Sequence, residues 1–409
     1  MPLTTTWVIK LSKFCNMRCR YCYEWNELAD RARISMALWE RILAAVVDHH
    51  ATWQARIDRQ WPGVEHRSLI VLHGGEPLAL PSEYLAQALA LFDQMRRRAP
   101  GTYQLSVQSN LLSVTREKLD LLLERGAQLS VSFDLVPGVR LNVAGQPTEE
   151  QVSRNIEMVR ALGVPLGAIA VLAKHTLGHV TRIHDYFAER GMPMRILPLF
   201  DGPAQRDLPS FWLDHAALRR GLEALFRHWI ETGCRIPVYP LMGYFEAALR
   251  HMAGLYRPLW RRELHGDSIF IVNQDGRLYR LLDAYEKDLA LGNLAVQDMA
   301  SISGSQAYER SLARDRAEFA AHCEHCEYLG ACNGSPLYSS RVTTPYAGLC
   351  PSAHACISFM IDYVKEQGYG PAELRALLDR IRRPSPLFVG GRGGPEASAA
   401  ASPMTEGAP

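Results

Sequence analysis

The chain has 409 residues, 47% of them hydrophobic, with 45 Lys+Arg against 43 Asp+Glu and a formal net charge of +2. This balance leaves no basic excess to track a phosphate backbone, which excludes nucleic acid as an expected partner, and the apolar content excludes a wholly disordered chain. No apolar run approaches the ~18 residues of a membrane span and residues 1–13 lack the layout of a secretory signal, so the expectation is a cytoplasmic protein with no membrane partner.

In chain order, short β-branched or aromatic runs recur at residues 7–11, 68–73, 103–107, 129–133, 166–172 and 194–199. Helical patterns separate them. Ser35, Ser82 and Thr115 each open a helix, the last stopping at Gly126. Thr148 followed by Gln151 reads as a capping box, with Gly163 where that helix must end in a left-handed residue, and a further helix over 179–190 closes at Gly191. His49-His50 reads as a solvated helix end. Strands alternating with helices imply parallel βαβ units, and six of them make an α/β fold, a partial (β/α)6 TIM-like barrel with functional groups at the strands' C-terminal ends.

After residue 200 the pattern changes. Residues 201–210 form a Gly/Pro-bearing connector, and helices follow over 211–232 and 242–252. Residues 269–279 read as a hairpin about Asp275-Gly276. A cysteine-rich stretch spans 322–356, with helices at 357–367 and 371–383. At roughly 150 residues per domain the length suggests two or three domains. The division expected is a barrel over 1–200, a helical connector over 201–264, a cysteine-rich α+β extension over 265–383 and a disordered Gly/Ala/Pro/Ser tail over 384–409.

Nine cysteines in such a chain make a disulfide framework a poor account and leave metal or redox chemistry. Cys15, Cys19 and Cys22 form C-x3-C-x2-C directly after the first strand. Three thiolates hold three irons of a 4Fe-4S cluster and leave the fourth open to a substrate or cofactor, whereas a structural zinc prefers a closed set of four. Cys323, Cys326, Cys332 and Cys350 supply such a closed set, and spacing alone does not choose between a cubane and zinc there.

The triplet, with Tyr21 just before its third cysteine, resembles the signature of the radical S-adenosylmethionine (SAM) superfamily. His73-Gly74-Gly75-Glu76-Pro77 at the end of the second strand looks like the family's GGEP segment, in which glycines admit close backbone approach and Glu76 is placed to hold the ammonium of a bound amino acid. Gln108-Ser109-Asn110 and Ser132-Phe133-Asp134 occupy the family's usual SAM-contact positions, and Arg140 has the place of a residue that contacts the SAM carboxylate. The second set resembles the SPASM extension of radical SAM enzymes that modify peptides and proteins. The implied cofactors are SAM and two 4Fe-4S clusters, one SAM-binding and one auxiliary.

Typical SPASM members bind a further auxiliary cluster, and its ligands are absent together here: His265 or Gly266 stands before the hairpin, Leu281 after it, and Pro336 in the last place. Cys234 and Cys356 read as small buried hydrophobes, with Cys356 close enough to Cys350 in sequence to stay a candidate ligand. This pattern looks most like maturases that install cyclophane or other carbon-carbon crosslinks in ribosomal precursor peptides, with Asp283 as candidate catalytic base and a flavodoxin or ferredoxin as electron donor. The rival readings are an anaerobic sulfatase-maturing type, which oxidises Cys or Ser to formylglycine, and a zinc-holding noncatalytic peptide-binding scaffold.

Overall fold

The apolar runs become strands in a computed structural model that describes residues 3–199, 208–256, 269–280, 286–332, 349–350 and 352–381. The expectations for His265, Gly266, Leu281, Asp283, Pro336, most of the 201–210 connector and the tail lie outside the described residues. Twelve strands are described: β1 (Leu3–Ser12), β2 (Met17–Cys19), β3 (His66–Gly74), β4 (Thr102–Ser109), β5 (Gln128–Ser132), β6 (Arg140–Asn142), β7 (Leu166–Leu172), β8 (Met194–Pro198), β9 (Val238–Tyr239), β10 (Ile269–Val272), β11 (Arg277–Arg280) and β12 (Gly292–Asn293).

Ten of these form one sheet in the order β12-β11-β10-β1-β3-β4-β5-β7-β8-β9. The six strands expected from the sequence are its parallel centre, β1, β3, β4, β5, β7 and β8. The sheet does not stop there. β9 pairs in parallel with β8, and β10 pairs in parallel with β1, Thr6 opposite Ile269, so the hairpin β10/β11 continues the barrel sheet. Along β1, Trp7, Ile9 and Leu11 are buried under the outer helices, and the residues between them face the inner, concave side.

Helix Met36–Gln60 begins as expected, with Ser35 accepting the Leu38 N–H. Its His49-His50 pair corrects the sequence reading. Both rings are buried, His49 edge-on to Trp7 and Phe270, His50 stacked on His66 and touching Tyr103. Both residues lie on one broad buried stripe with Trp39, Ile42, Leu43, Val46, Trp53 and Ile57, at the i, i+3, i+4 spacing of a core-facing helix. The Thr148–Gln151 capping box also fails to form, because the Thr148 hydroxyl donates to the Arg140 carbonyl at 3.0 Å and makes no cap hydrogen bond. Gly163 and Gly191 do end their helices at φ of +70° and +63°. No helix among the described residues is long and apolar enough to cross a membrane.

The three packed histidines make stability pH-dependent. Burial pushes the His66 imidazole down to about 4, with His50 adding to it, and burial also lowers His49 and His50. An unfolded histidine titrates near pH 6.5, so between there and about 4 the unfolded chain takes up protons that the folded chain refuses. Stability is therefore full above pH 6.5 and falls as pH drops, by about 1.4 kcal/mol per unit for each group so held. Urea unfolding from pH 7.5 to 5 should show the loss, and His66→Asn should flatten it. An equal slope in that variant would remove His66 from the effect.

Candidate active site

The C-terminal ends of the parallel strands carry the sequence-marked residues, and the loop after β1 brings most of them together. Cys15 is buried, with Cys19 and Cys22 half-buried. Burial raises all three thiols; Cys22 reaches about 12, with Cys19 adding to it, while Glu76 and Cys19 push Cys15 up further. Thiols so placed ionise only when a cationic centre takes their charge, as metal coordination does. Polar hydrogens are already aimed at the sulfurs. The Met17 N–H lies 3.4 Å from Cys15 Sγ and the Glu24 N–H 3.4 Å from Cys22 Sγ, and Asn110 Nδ2 stands 3.7 Å from Cys15 Sγ. Three thiols with donors to their sulfurs fit a cluster that keeps one iron open.

The glycines of His73-Gly74-Gly75-Glu76-Pro77 do admit a close approach, and what approaches is the cysteine loop. A Cβ on Gly75 would stand 2.1 Å from the Phe14 carbonyl oxygen, and one on Gly74, where φ is +128°, 2.1 Å from that of Ser12. The gap is filled by backbone hydrogen bonds: Gly75 N–H to Ser12 O and Glu76 N–H to Phe14 O, both 2.9 Å. The Glu76 carboxylate is buried and accepts from Ser109 Oγ at 2.7 Å, the Asn110 N–H at 2.6 Å and the Leu78 N–H at 2.9 Å, so it braces β4 and starts the short turn Pro77–Ala79. One carboxylate oxygen keeps acceptor capacity for a ligand ammonium.

Asp134 anchors a second group. It is 0% exposed, accepts the Val171 N–H at 2.9 Å and Arg140 Nε at 3.1 Å, and receives the Tyr21 hydroxyl. Burial would raise its carboxyl, but Arg140, His175 and Tyr21 outweigh that and hold it well below the usual range. Arg140 in turn places Nη1 3.9 Å from Cys19 Sγ and its guanidinium over the Tyr21 ring. The contact is built into the backbone, since β2 and β6 pair antiparallel with Cys19 opposite Arg140. Ser132 accepts Gln108 Nε2 at 2.7 Å on the inner face. Leu111 and Leu135, each one residue past a marked position, sit at φ of +58° and +60°, strained conformations for leucine.

Two parts of this region escape a sequence reading. His175, just beyond β7, stacks on Tyr21 with Nε2 3.6 Å from Asp134; its signal was a place soon after a strand's C-terminal end, as for Asp134. Lys10 is buried inside β1 and pairs with Glu24, beside His73, which burial and Lys10 push down to about 4. A lysine in an apolar strand was the only sign.

The second set is also assembled. Cys323 ends helix Gln306–His322, Cys326 and Cys332 follow in tight turns, and Cys350 accepts the Ala353 N–H at 3.4 Å where helix Ala353–Gln367 begins. The four, with Tyr328 and Ile357, line a cavity of about 350 Å3, open mouth included. Burial pushes Cys323 up to about 12, and Cys350, Cys332 and Cys326 each add to it. Four thiols around an apolar cavity, one at a helix N-terminus, fit a cubane or a tetrahedral zinc. Cys234 and Cys356 are buried in the hydrophobic core and do not line that cavity, although Cys356 is near enough to Cys350 to interact with it.

Residues 9–187 match the radical SAM superfamily. The chain is 22% identical over 355 residues to a cysteine-type anaerobic sulfatase-maturating enzyme of Clostridium perfringens, covering 82% of this chain and 89% of the relative. It is 21% identical over 342 residues to a serine-type enzyme of Bacteroides thetaiotaomicron, covering 78% and 79%. Among solved structures, native anSMEcpe with bound AdoMet and Cp18Cys peptide superposes with a TM-score of 0.69 at 18% identity, covering 93% of this chain and 100% of that one. Streptococcus suis SuiB bound to S-adenosylmethionine gives 0.56 at 14% identity, covering 82% and 73%. The triplet on its barrel loop and the domain match agree: residues 9–187 form a radical SAM domain, and the chain is an enzyme whose cofactors are SAM and 4Fe-4S clusters.

Proposed function

We propose that this enzyme is a peptide maturase that removes two hydrogens from a ribosomal precursor peptide and joins two of its side chains through a carbon-carbon bond. The observation that carries the reading is the partition of the nine cysteines: three on the barrel loop, four around one cavity and two more buried in the core, which leaves too few for a further cysteine-held auxiliary cluster. A peptide in the complex of a structural relative supports the substrate class. The names of the curated relatives favour a second reading, oxidation of one Cys or Ser to formylglycine.

When bound, the groups on the two thiol sets supply a 5′-deoxyadenosyl radical for hydrogen abstraction and a path for electron transfer. The protein's own residues hold and shield. Arg140 keeps a positive charge beside Cys19, and Asp134 fixes that guanidinium and the Tyr21 ring. Glu76 and Asn110 hold β4 against the cysteine loop. For a crosslink to an aromatic ring, one hydrogen leaves a side-chain carbon as an atom, and the ring then loses a proton and an electron. Asp283 is proposed as the base that takes the proton, and a flavodoxin or ferredoxin as the reductant.

Coexpression with the precursor encoded by a neighbouring short reading frame should give a peptide two hydrogens lighter, its backbone intact and a ring that tandem mass spectrometry does not fragment through. An unchanged mass with a new D-residue would overturn crosslinking. A change confined to one Cys or Ser would establish the formylglycine reading instead.

A further inference from the structure

Helix Val180–Glu189, between β7 and β8, and helix His215–Glu231, between β8 and β9, pack against each other. Where they meet, His184 and Asp185 of the first face His228 of the second. His228 Nε2 lies 2.6 Å and His184 Nδ1 3.2 Å from the same oxygen, Asp185 Oδ1. The two rings are perpendicular with centroids 5.1 Å apart, and one ligand atom from each of the three residues lies within 4.8 Å of the others. The His184 side chain is 0% exposed, whereas His228 and Asp185 are 25% and 44% exposed, so the group is held from the protein side and open to water on the other.

We propose that His184, Asp185 and His228 form a binding site for a divalent metal of the zinc type, which clamps the two helices together. Two imidazole nitrogens and a carboxylate oxygen are a common zinc donor set, with water as fourth ligand from the open side. Magnesium and calcium prefer all-oxygen shells, so the two nitrogens select against them. Both rings already aim a nitrogen at one carboxylate oxygen, so drawing them onto one ion takes side-chain adjustment and leaves the helices in place.

The test uses holoenzyme with its clusters reconstituted, so that the seven cluster thiols are occupied, dialysed against Zn2+ and then analysed for zinc. Wild type should hold one zinc per chain, with only nitrogen and oxygen neighbours in X-ray absorption, and its melting temperature should rise with added zinc. His228→Gln keeps an N–H donor for Asp185 but is a poor metal ligand. It should melt as wild type does without zinc, bind one zinc fewer and show no rise. Equal zinc in both proteins, sulfur in the zinc shell, or the same rise with Mg2+ would each overturn the proposal.

Discussion

Replacing Cys15, Cys19 and Cys22 together by alanine is expected to lower the iron content of anaerobically reconstituted protein from about eight to about four per chain and to abolish SAM cleavage. The two thiol sets belong to separate parts of the chain, one on the barrel loop and one around a cavity between helices Gln306–His322 and Ala353–Gln367, so emptying the first leaves the second intact. Iron and acid-labile sulfide assays together with 5′-deoxyadenosine formation read the outcome. A wild type that saturates near four irons with zinc in the second set would remove the auxiliary cluster, and one near twelve would reveal a cluster that the cysteine positions do not provide for.

Gly75→Ala is expected to have nearly the same effect without touching a thiol. The added methyl would lie 2.1 Å from the Phe14 carbonyl oxygen and 2.3 Å from that of Lys13, and neither is the free end of a flexible side chain. The loop must move, which breaks the hydrogen bonds from Gly75 and Glu76 and shifts Cys15, the next residue. Misplacement of reacting groups by about 1 Å costs on the order of 100-fold in rate, and SAM cleavage should fall at least that far. Iron should drop towards the level of the triple variant while far-ultraviolet circular dichroism stays unchanged. Gly243→Ala, where an added Cβ meets nothing within 4 Å and φ is not positive, should behave as wild type. Full iron and wild-type turnover in Gly75→Ala would show that the close approach is dispensable.

Much of this arrangement was legible beforehand. The six central strands announced themselves as β-branched runs, and Ser35, Thr115, Gly163 and Gly191 marked helix ends through local chemistry that tertiary packing left alone. The Gly-Gly pair signalled a close approach, but its partner, the Ser12–Phe14 backbone, is set by how β1 and β3 align. His49 and His50 misled because polar side chains were read as solvated, although they stand one heptad after the buried pair Ile42 and Leu43 on the same stripe. Thr148 misled because its competing acceptor, the Arg140 carbonyl, belongs to β6. The sharing of Asp134 was invisible for a like reason: Tyr21, Arg140 and His175 converge on it from three separate segments.

The pairing of β10 with β1 has a consequence for how the chain comes off the ribosome. Thr6 is made before any of the barrel's helices, and its sheet neighbour Ile269 emerges only after every helix through Leu241–Met252 has been synthesised. Throughout that interval the strand leading to the first cysteine presents an unpaired edge, and β8 presents another until Val238 and Tyr239 arrive. Open edges of this kind recruit other chains, and pairings this distant in sequence form slowly. A truncation ending at residue 200 would keep every residue of the SAM-binding triplet yet leave both edges bare, and it should aggregate where the full chain does not.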